Sequence, residues 1–550
     1  MIKKLFILIV LFFTLAPTCH SQDTEMLVRV GISDNNFKSL LYTSADFKSD
    51  KEVEIIDISN GNIVTAIPAN SIIRVRLQND IIEVYKDDSK ILASCNGPIT
   101  IKPKFDSVIG IENLKRSGKP ALYKGVIEIV KNSHKKDKFC IVNVLSLENY
   151  LKGVVPNEMP TSFGLEALKA QTVAARNYAL KPRDKFYDEF DVCDSVASQV
   201  YFGANTEKEL GNTAVKETNG LVAMYNGELI LALYSSCAGG YTESYENAFS
   251  EPKNKVFPSK YIPYLIAKPD DKTTPPLNTE EEARKFYLSY PETFDNSSRF
   301  FRWEKQWVAE ELEEVLKTTL IEQSKTGFVK PAVNNADEIG ILKSIQVNRR
   351  GNSGKIISLN IVTDKNTFTV SKELVIRRTF KKNQSALQSA NFVITTLRNE
   401  NGEITNYIFN GGGYGHGVGM SQWGASSMGA EGYKFEQILQ HYYSGISIGT
   451  PPVVIQNVEN KNKQSQSFFA PYKKGWLIID NFDDIYDIKI IVNNKEINID
   501  ARNNNQKLIK FDLKNYIHTG ENTITYYIKP VENGRKKIKM YLEVIEAKNE

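Results

Sequence analysis

The sequence predicts an α+β protein with a β-rich N-terminal region, a mixed core and a β-rich C-terminal region. Three observations support this prediction. Short runs of β-branched residues, such as MLVRVGI and IIRVRL, dominate residues 22–135. The stretch FGLEALKAQTVAARNYAL then places apolar side chains at helical spacing. Strand-like runs return after that helix and continue towards the end of the chain, where GWLIID and IYDIKIIV occur.

Residues 1–21 are typical of a signal peptide. Lys3 and Lys4 precede the apolar run LFILIVLFFTLAP and the polar stretch TCHSQ, the order found in secretory signals. A lipoprotein is disfavoured because Ala16, Pro17 and Thr18 are a poor sequence to precede a lipidated cysteine at Cys19. No later stretch is apolar enough to cross a bilayer. We therefore expect cleavage near Ser21 and a secreted, periplasmic or cell-envelope location without a membrane span.

Composition limits the remaining classes of protein. The 550 residues indicate more than one domain. The net charge of +4 is too small to favour nucleic acid as a partner. Cleavage near Ser21 would remove Cys19 and leave four of the five cysteines. An even number in an exported chain permits disulfides, but their spacing alone does not assign them. There is no CxxC motif and no Cys/His cluster at zinc spacing, so we expect no metal and no cofactor.

The core is predicted to span residues 136–450, with an insertion at about 268–340. The inserted stretch is polar and carries helical patterns such as TEEEARKFYLSY and WVAEELEEVLKTTL. The polar stretch NVENKNKQSQS then separates the core from residues 455–550, which we expect to form a small β-sandwich. That sandwich is a candidate wall- or carbohydrate-binding module, although core packing explains its aromatic residues equally well: Phe468, Phe469, Tyr472 and Trp476.

Glu158 is the candidate catalytic residue. It lies between Pro156 and Pro160, which restrict the backbone on both sides. A surface carboxylate in a turn is the ordinary interpretation of such a residue, but a rigidly presented carboxylate suits a general acid. Its charge is expected to interact with the amides that begin the following helix. Gln171 and Arg176, within that helix, are expected to point under the turn and orient it.

Two further segments are rich in glycine and polar groups: GGGYGHGVGMSQWGA at 411–425 and SSCAGGYTES at 235–244. Dense glycines let backbone approach a ligand closely, and His416 and Gln422 are the polar side chains offered there. A flexible loop and a simple turn are the ordinary alternatives. Neither segment fits a P-loop, a dinucleotide fingerprint or a GxSxG nucleophile. One presented acid with polar loops, in an exported protein, suggests carbohydrate cleavage that needs a single carboxylate, whereas most glycosidases use two.

The stretch LSLENYLKGVVPNEMPTSFGLEALKAQTVAARNYAL, together with SSCAGGYTES and GHGVGMSQWGA, resembles the SpoIID/LytB family of peptidoglycan lytic transglycosylases and amidase enhancers. The resemblance covers roughly residues 110–450 outside the insertion. It implies a SpoIID-like catalytic core that cleaves peptidoglycan with one catalytic acid, Glu158. The residues then expected to bind or orient glycan are Gln171, Arg176, Ser235, Ser236, Gly239, Gly240, Thr242, His416, Gly417 and Gln422.

The resemblance also implies the reaction. Glu158 would protonate the oxygen that links N-acetylmuramic acid to N-acetylglucosamine. It would then take the proton of the C6 hydroxyl as that oxygen attacks its own anomeric carbon, which leaves a 1,6-anhydro end.

The sequence departs from the family pattern at one place. Sporulation members commonly bind zinc through a His and two Cys around a DxCDxxxCQVY-like segment. Here DVCDSVASQVY keeps Cys193 but has Ser198 at the second Cys position, so zinc is not expected. A disulfide between Cys193 and Cys237 is the hypothesis instead, because both segments are expected near the cleft.

Three alternatives remain open from the sequence. The first is a non-catalytic peptidoglycan-binding protein that activates a separate cell-wall amidase. The second is a conventional hydrolase in which Glu158 acts with another acid, such as Glu243. The third is a scaffold protein whose site is vestigial.

Overall fold

The computed structural model describes residues 26–87, 91–181, 188–271, 273–455, 464–480, 485–499, 507–530 and 538–544. The predicted signal peptide lies outside these residues. The described chain is α+β, as predicted. Within it, no helix is both long enough and apolar enough to cross a membrane.

The N-terminal region consists of twelve strands in two sheets. Side chains alternate between buried and partly exposed along most of them, as in IRVRLQ and ITIKP, so each sheet buries one face. The strands are β1 Leu27–Ile32, β2 Ser44–Lys48, β3 Val53–Asp57, β4 Ile63–Ile67, β5 Ile73–Gln78, β6 Ile81–Lys86, β7 Ile91–Cys95, β8 Ile99–Pro103, β9 Ile109–Arg116, β10 Lys119–Tyr123, β11 Val126–Lys131 and β12 Phe139–Ser146. One sheet has the order β1-β12-β11-β8-β3-β4, and the other has the order β10-β9-β2-β5-β6-β7.

The first half of the core adds four helices and four short strands. They are α1 Leu147–Glu158, α2 Leu165–Leu180, β13 Val192–Cys193, α3 Glu209–Glu217, β14 Val222–Tyr225, β15 Glu228–Leu229, β16 Tyr234–Ser235 and α4 Tyr245–Ala248. The Ser146 hydroxyl caps α1 by accepting from the Asn149 amide. β13 pairs with β1, which joins the core to the N-terminal sheet. Helix α2 lies at the centre of the core, where small buried residues let neighbouring helices approach closely: Ala167, Ala170, Ala174 and Ala175.

The structure confirms the two helices predicted within residues 268–340 and shows that the unit to which they belong continues beyond residue 340. Its elements are α5 Glu280–Tyr287, β17 Trp303–Val308, α6 Ala309–Ser324, β18 Val329–Lys330, β19 Leu342–Arg350, β20 Ile356–Thr363, β21 Thr367–Ser371, α7 Glu373–Thr379, β22 Phe392–Arg398 and β23 Ile404–Gly411. β17 pairs with β23, and β18 pairs with β21. Backbone hydrogen bonds therefore tie the predicted insertion to strands beyond it, around a separate hydrophobic core that contains Trp307, Phe368 and Phe409.

The second half of the core brings two sequence motifs together. Its elements are β24 Met420–Ser421, α8 Gln422–Ala430, α9 Phe435–Tyr442 and β25 Ser447–Gly449. β24 runs parallel to β16, so that Tyr234 lies beside Met420 and Ser235 beside Ser421. The segments SSCAGGYTES and GHGVGMSQWGA, which are far apart in the sequence, thus share one ladder.

The C-terminal strands form two sheets that enclose apolar side chains. They are β26 Val453–Ile455, β27 Gln464–Ala470, β28 Gly475–Asp480, β29 Ile485–Val492, β30 Lys495–Ile497, β31 Leu508–Asp512, β32 Gly520–Pro530 and β33 Ile538–Val544. One sheet has the order β27-β32-β29-β30. The other continues into the core, because β33 pairs with β25 and gives the order β15-β14-β25-β33-β28-β31. The sequence suggested a separate unit after the core. The structure shows instead that the tail shares a sheet with the core.

The junction between core and tail depends on Gly449. A Cβ added there would lie 1.7 Å from the Leu542 carbonyl oxygen. We expect Gly449→Ala to lower the free energy of unfolding by about 1–3 kcal/mol, since the strands would have to separate. Urea denaturation measures this. Gly211→Ala is the matched control, because its Cβ would meet the nearest atom, in Pro156, at 3.6 Å. A Gly-to-Ala change within a helix should stabilise α3 by about 0.5–1 kcal/mol. Equal effects of the two variants would contradict the prediction.

Candidate functional site

Glu158 is the last residue of α1, and Pro156 lies in the final turn of that helix. Met159 is extended, and the chain then forms a 3-10 turn at Thr161–Phe163 before α2. Glu158 thus lies at the carbonyl end of one helix. The expectation that the amides of the next helix would face its carboxylate is wrong, because the amide that donates to it belongs to Val200.

The carboxyl group of Glu158 lies in a protein environment that disfavours its charge. Its side chain is partly exposed, and the Val200 amide donates to Oε1 at 2.6 Å. Burial raises its pKa to about 7, although the Val200 hydrogen bond acts in the opposite direction. Near neutral pH the group therefore exists in both protonated and ionised forms, as a residue that donates and then accepts a proton requires.

Gln422 connects three helices at this point. Its Nε2 donates to the backbone oxygen of Glu158 at 3.0 Å and to Oε1 of Gln171 at 3.1 Å. Both glutamines are buried, and Gln171 is fully inaccessible. The structure confirms that Gln171 lies next to the Glu158 turn. The Gln171 side chain is inaccessible and holds Gln422, so we expect it to orient the site and not to contact glycan.

Two residues that the sequence reasoning missed also belong to the site. Gln199 donates from Nε2 to the Tyr234 hydroxyl at 3.3 Å and accepts at Oε1 from the Tyr150 hydroxyl at 3.2 Å. Tyr234 is partly exposed, and burial followed by the charge of Glu158 raises its pKa well above the usual value. The sequence offered one signal for each of these two site residues. Tyr234 directly precedes the SSCAGG motif, and Gln199 directly precedes Val200.

His416 lies close to Tyr234 and is neutral. Its Nδ1 accepts from the Val418 amide at 3.0 Å, so the ring proton resides on Nε2. Burial, together with the charges of Lys355 and Arg377, lowers its pKa to about 3. The neighbouring Gly417 is buried, and its carbonyl oxygen accepts from the Glu243 amide at 2.8 Å. His416 is partly exposed, but its ring also hydrogen-bonds to the Tyr234 backbone, so direct contact with glycan stays a prediction.

The SSCAGGYTES segment divides into an accessible and a buried part. Ser236 is partly exposed, and its carbonyl oxygen accepts from the Trp423 amide at 3.1 Å. Ser235 is 8% exposed and lies against Gly415. Ser236 therefore stays a candidate glycan contact, whereas Ser235 contributes chiefly to the β16–β24 ladder.

Gly239, Gly240 and Thr242, which were predicted to bind glycan, are buried against neighbouring chain. The Gly239 amide donates to Asp295 at 2.8 Å, and its carbonyl oxygen accepts from Arg302 at 3.0 Å. A Cβ at Gly240 would lie 2.9 Å from a ring atom of the insertion. Thr242 is buried, and its hydroxyl exchanges hydrogen bonds with the Lys268 backbone. These three residues fasten their segment to neighbouring chain instead of lining a cleft.

Arg176, which was also predicted to bind or orient glycan, is engaged by protein groups. Its side chain is fully buried and forms two hydrogen bonds with the Glu148 carboxylate, at 2.8 and 2.6 Å. A third bond, at 2.9 Å, goes to the Leu221 carbonyl oxygen. Arg176 therefore points away from Glu158 and binds α2 to α1 and to the β14 edge.

The predicted Cys193–Cys237 disulfide is absent. Cys237 is buried and donates from Sγ to Oδ2 of Asp295 at 3.3 Å. Cys193 packs with Cys140 in a cluster on the first N-terminal sheet, and its Sγ lies 3.4 Å from the Ser198 hydroxyl. The two sulfurs belong to different parts of the core, which sequence spacing does not reveal.

The described side chains around Cys193 also lack the donor set that zinc requires. Ser198 carries a hydroxyl instead of a thiolate, and zinc in proteins is bound mainly by Cys, His and carboxylate ligands. Asp194 is buried and paired with Arg116 at 2.6 Å.

Two further buried carboxylates, those of Glu243 and Asp295, are engaged by protein groups. Glu243 is fully inaccessible and accepts hydrogen bonds from Ser353 and Asn247. Asp295 is also fully buried, where burial and the charge of Asp270 raise its pKa. Neither side chain reaches the surface that Glu158 faces. The arrangement therefore does not support a conventional hydrolase in which Glu243 is the second acid.

The β-rich start, the α1–α2 core and the single presented acid together define the class. Residues 135–225, which contain Glu158, match the family model described as "Stage II sporulation protein". Residues 251–419 match a second model, "Domain of unknown function (DUF8618)", which contains the unit built around β17–β23. The chain belongs to the SpoIID/LytB family.

Particular relatives support this assignment. The chain is 31% identical to the amidase enhancer of Bacillus subtilis over 309 residues, which is 54% of this chain and 40% of that protein. It is 30% identical to an uncharacterized protein of Brachyspira hyodysenteriae over 57% of this chain and 69% of the relative. It is 27% identical to stage II sporulation protein D of Bacillus subtilis, over 56% of this chain and 75% of that relative. A function related to the cell wall fits these relatives.

The raised pKa of Glu158 predicts a pH-dependent stability difference. The folded state binds a proton between pH 4.5 and about 7 that the unfolded chain has lost. Ionisation of Glu158 therefore destabilises the fold as pH rises through this window, by about 3 kcal/mol at pH 8. Glu158→Gln removes this ionisation, so its melting temperature should match wild type at pH 4 and exceed it at pH 8. Thermal denaturation from pH 4 to 9 tests this, with the exposed Glu431→Gln as control. Parallel pH curves for wild type and Glu158→Gln would contradict it.

Arg176 gives a second test of the geometry. Arg176→Ala should lower the free energy of unfolding by about 3 kcal/mol, because it leaves Glu148 and the Leu221 carbonyl oxygen without their partner. Glycan binding at a temperature where the variant stays folded should equal that of wild type. Lys216→Ala, an exposed position on α3, is the control. Normal stability with weakened glycan binding would restore the role predicted from sequence.

Proposed function

We propose that this protein is an exported peptidoglycan lytic transglycosylase in which Glu158 serves as both acid and base. The observation that carries the proposal is the state of that carboxyl group, which is partly exposed, has a pKa of about 7 and accepts one backbone hydrogen bond. A single acid of this kind suits a reaction that needs no second carboxylate. Membership of the SpoIID/LytB family supports the same conclusion.

The reaction begins with protonated Glu158. Its proton passes to the oxygen between N-acetylmuramic acid and N-acetylglucosamine, and the bond from that oxygen to the muramic C1 breaks. The resulting carboxylate then accepts the proton of the muramic C6 hydroxyl while O6 bonds to C1. The products are a 1,6-anhydromuramoyl end and a free N-acetylglucosamine hydroxyl, and no water is consumed. Glu158 ends the cycle protonated.

The neighbouring groups support these two proton transfers. The Val200 amide stabilises the carboxylate form that exists between them. The Tyr234 hydroxyl accepts from Gln199, so its own proton is directed elsewhere and is available to substrate. Gln422 fixes the backbone of Glu158 and keeps the carboxyl group at one place in the cleft.

A second candidate is a peptidoglycan-binding activator of a cell-wall amidase. The similarity to the amidase enhancer favours it, and the match covers 40% of that relative. In this case the same cleft would hold glycan without cleaving it, and the amidase would be a protein partner. Under either function we propose a location in the cell envelope or outside the cell, and the C-terminal sheets as a wall- or carbohydrate-binding module.

Digestion of purified sacculi separates the two candidates. Wild-type protein should release muropeptides with anhydro ends, which mass spectrometry finds one water lighter than hydrolysis products. Glu158→Gln should lower the release rate at least 100-fold, the usual scale for loss of a general acid. The rate should also fall as pH rises above 7, because the protonated acid that starts the reaction is depleted.

The exposed Glu431→Gln is the control and should retain the wild-type rate. A folded wild-type protein that releases nothing, yet speeds an added amidase, would replace the enzyme with the activator. Products that carry the additional water would instead indicate a hydrolase.

A further inference from the structure

Partly exposed aromatic rings occur in the segments next to Glu158 and in the inserted unit. We call the set Phe163, Trp423, Tyr414 and Phe300, with Arg299 at its end, the aromatic strip. Tyr414 is 42% exposed, and Arg299 is exposed. Aromatic rings that stay on the surface of a soluble protein as a contiguous set indicate a contact surface.

The first half of the aromatic strip adjoins the candidate catalytic residue. The rings of Phe163 and Trp423 lie 4.8 Å apart at 57°. Trp423 directly follows Gln422, whose side chain donates to the backbone of Glu158. Phe163 ends the 3-10 turn that begins three residues after Glu158. These two rings therefore border the position where the bond would be cleaved.

The second half of the aromatic strip comes from the inserted unit. The rings of Tyr414 and Phe300 lie 4.5 Å apart at 36°, and the guanidinium of Arg299 lies 4.7 Å from the Phe300 ring centre. Cys237 exchanges backbone hydrogen bonds with Tyr414, and the preceding residue, Ser236, accepts from the Trp423 amide. One short segment of chain thus holds the two halves next to each other.

We propose that the aromatic strip is an extended glycan-binding surface, on which the inserted unit adds a subsite for a muramic acid residue. The proposal rests on the function proposed above. Pyranose rings present apolar C–H faces that stack on aromatic side chains, and continuity with the Glu158 cleft identifies the occupant as the same glycan strand. The exposed Arg299 guanidinium suits a carboxylate, which the lactyl group of muramic acid carries when no peptide is attached.

Binding to defined glycans tests the proposal without requiring cleavage. The full-length Glu158→Gln protein serves as background, and the ligands are peptide-free oligomers of alternating N-acetylglucosamine and N-acetylmuramic acid. Tyr414→Ala and Phe300→Ala should each weaken binding about tenfold, the scale of one lost aromatic contact. Phe105→Ala is the matched control, since Phe105 is 86% exposed in the N-terminal region. Tyr414→Leu and Phe300→Leu keep apolar volume, so loss of binding with an unchanged melting temperature excludes misfolding.

Ligand choice then tests Arg299. Arg299→Gln should weaken binding of the muramic-acid oligomers several-fold at low salt, and less at high salt. It should leave oligomers of N-acetylglucosamine alone unaffected, because those have no carboxylate. An equal loss of affinity for both kinds of oligomer would overturn the proposed muramic acid subsite.

The outcomes distinguish this proposal from the one on which it rests. Unchanged binding in the tyrosine and phenylalanine variants, with wild-type cleavage of sacculi, would overturn the aromatic strip and leave the transglycosylase standing. If those variants bind glycan more weakly while the wild-type protein cleaves no sacculi, the aromatic strip would be supported as the binding surface of an activator. A folded protein that neither binds nor cleaves glycan would overturn both proposals.

Discussion

The two hydrogen bonds of the Gln422 side chain hold the candidate site together. One goes to the backbone oxygen of Glu158 at the end of α1, and the other goes to Gln171 within α2. Gln422 itself begins α8, directly after the strand that pairs with Tyr234 and Ser235. Because one side chain joins these elements, the position of the acid depends on the whole core and not on its local turn alone.

The ionisable groups of the core follow two different rules. Arg176 and Arg116 are buried and neutralised by Glu148 and Asp194, so they strengthen the packing of helices and sheets. Glu158 receives a single amide hydrogen bond in a similarly dense environment and has a pKa of about 7. Buried charges are stable when paired, whereas a carboxyl group held with one neutral donor is suited to exchanging its proton. This contrast distinguishes the candidate acid from the structural ones.

The inserted unit changes the surroundings of the site more than its chemistry. It has its own hydrophobic core and its own family model, yet Arg302 and Asp295 attach it to the SSCAGG segment through Gly239. That attachment brings Phe300 against Tyr414. The tail is joined to the core by a different device, the strand pair at Gly449. Both additions are therefore attached to the core through specific backbone and side-chain contacts.

The sequence by itself determined the parts that depend on local pattern. Alternation predicted the N-terminal strands, helical spacing predicted α2, and the proline frame singled out Glu158. Only the tertiary structure decided the parts that depend on which side chains meet across long separations in sequence. It turned Arg176 and Thr242 inward, separated Cys193 from Cys237, and placed Tyr234 and Gln199 beside Glu158. The physical reason is that periodicity fixes an element and its buried face, whereas the partner of a buried polar group is set by packing among distant elements.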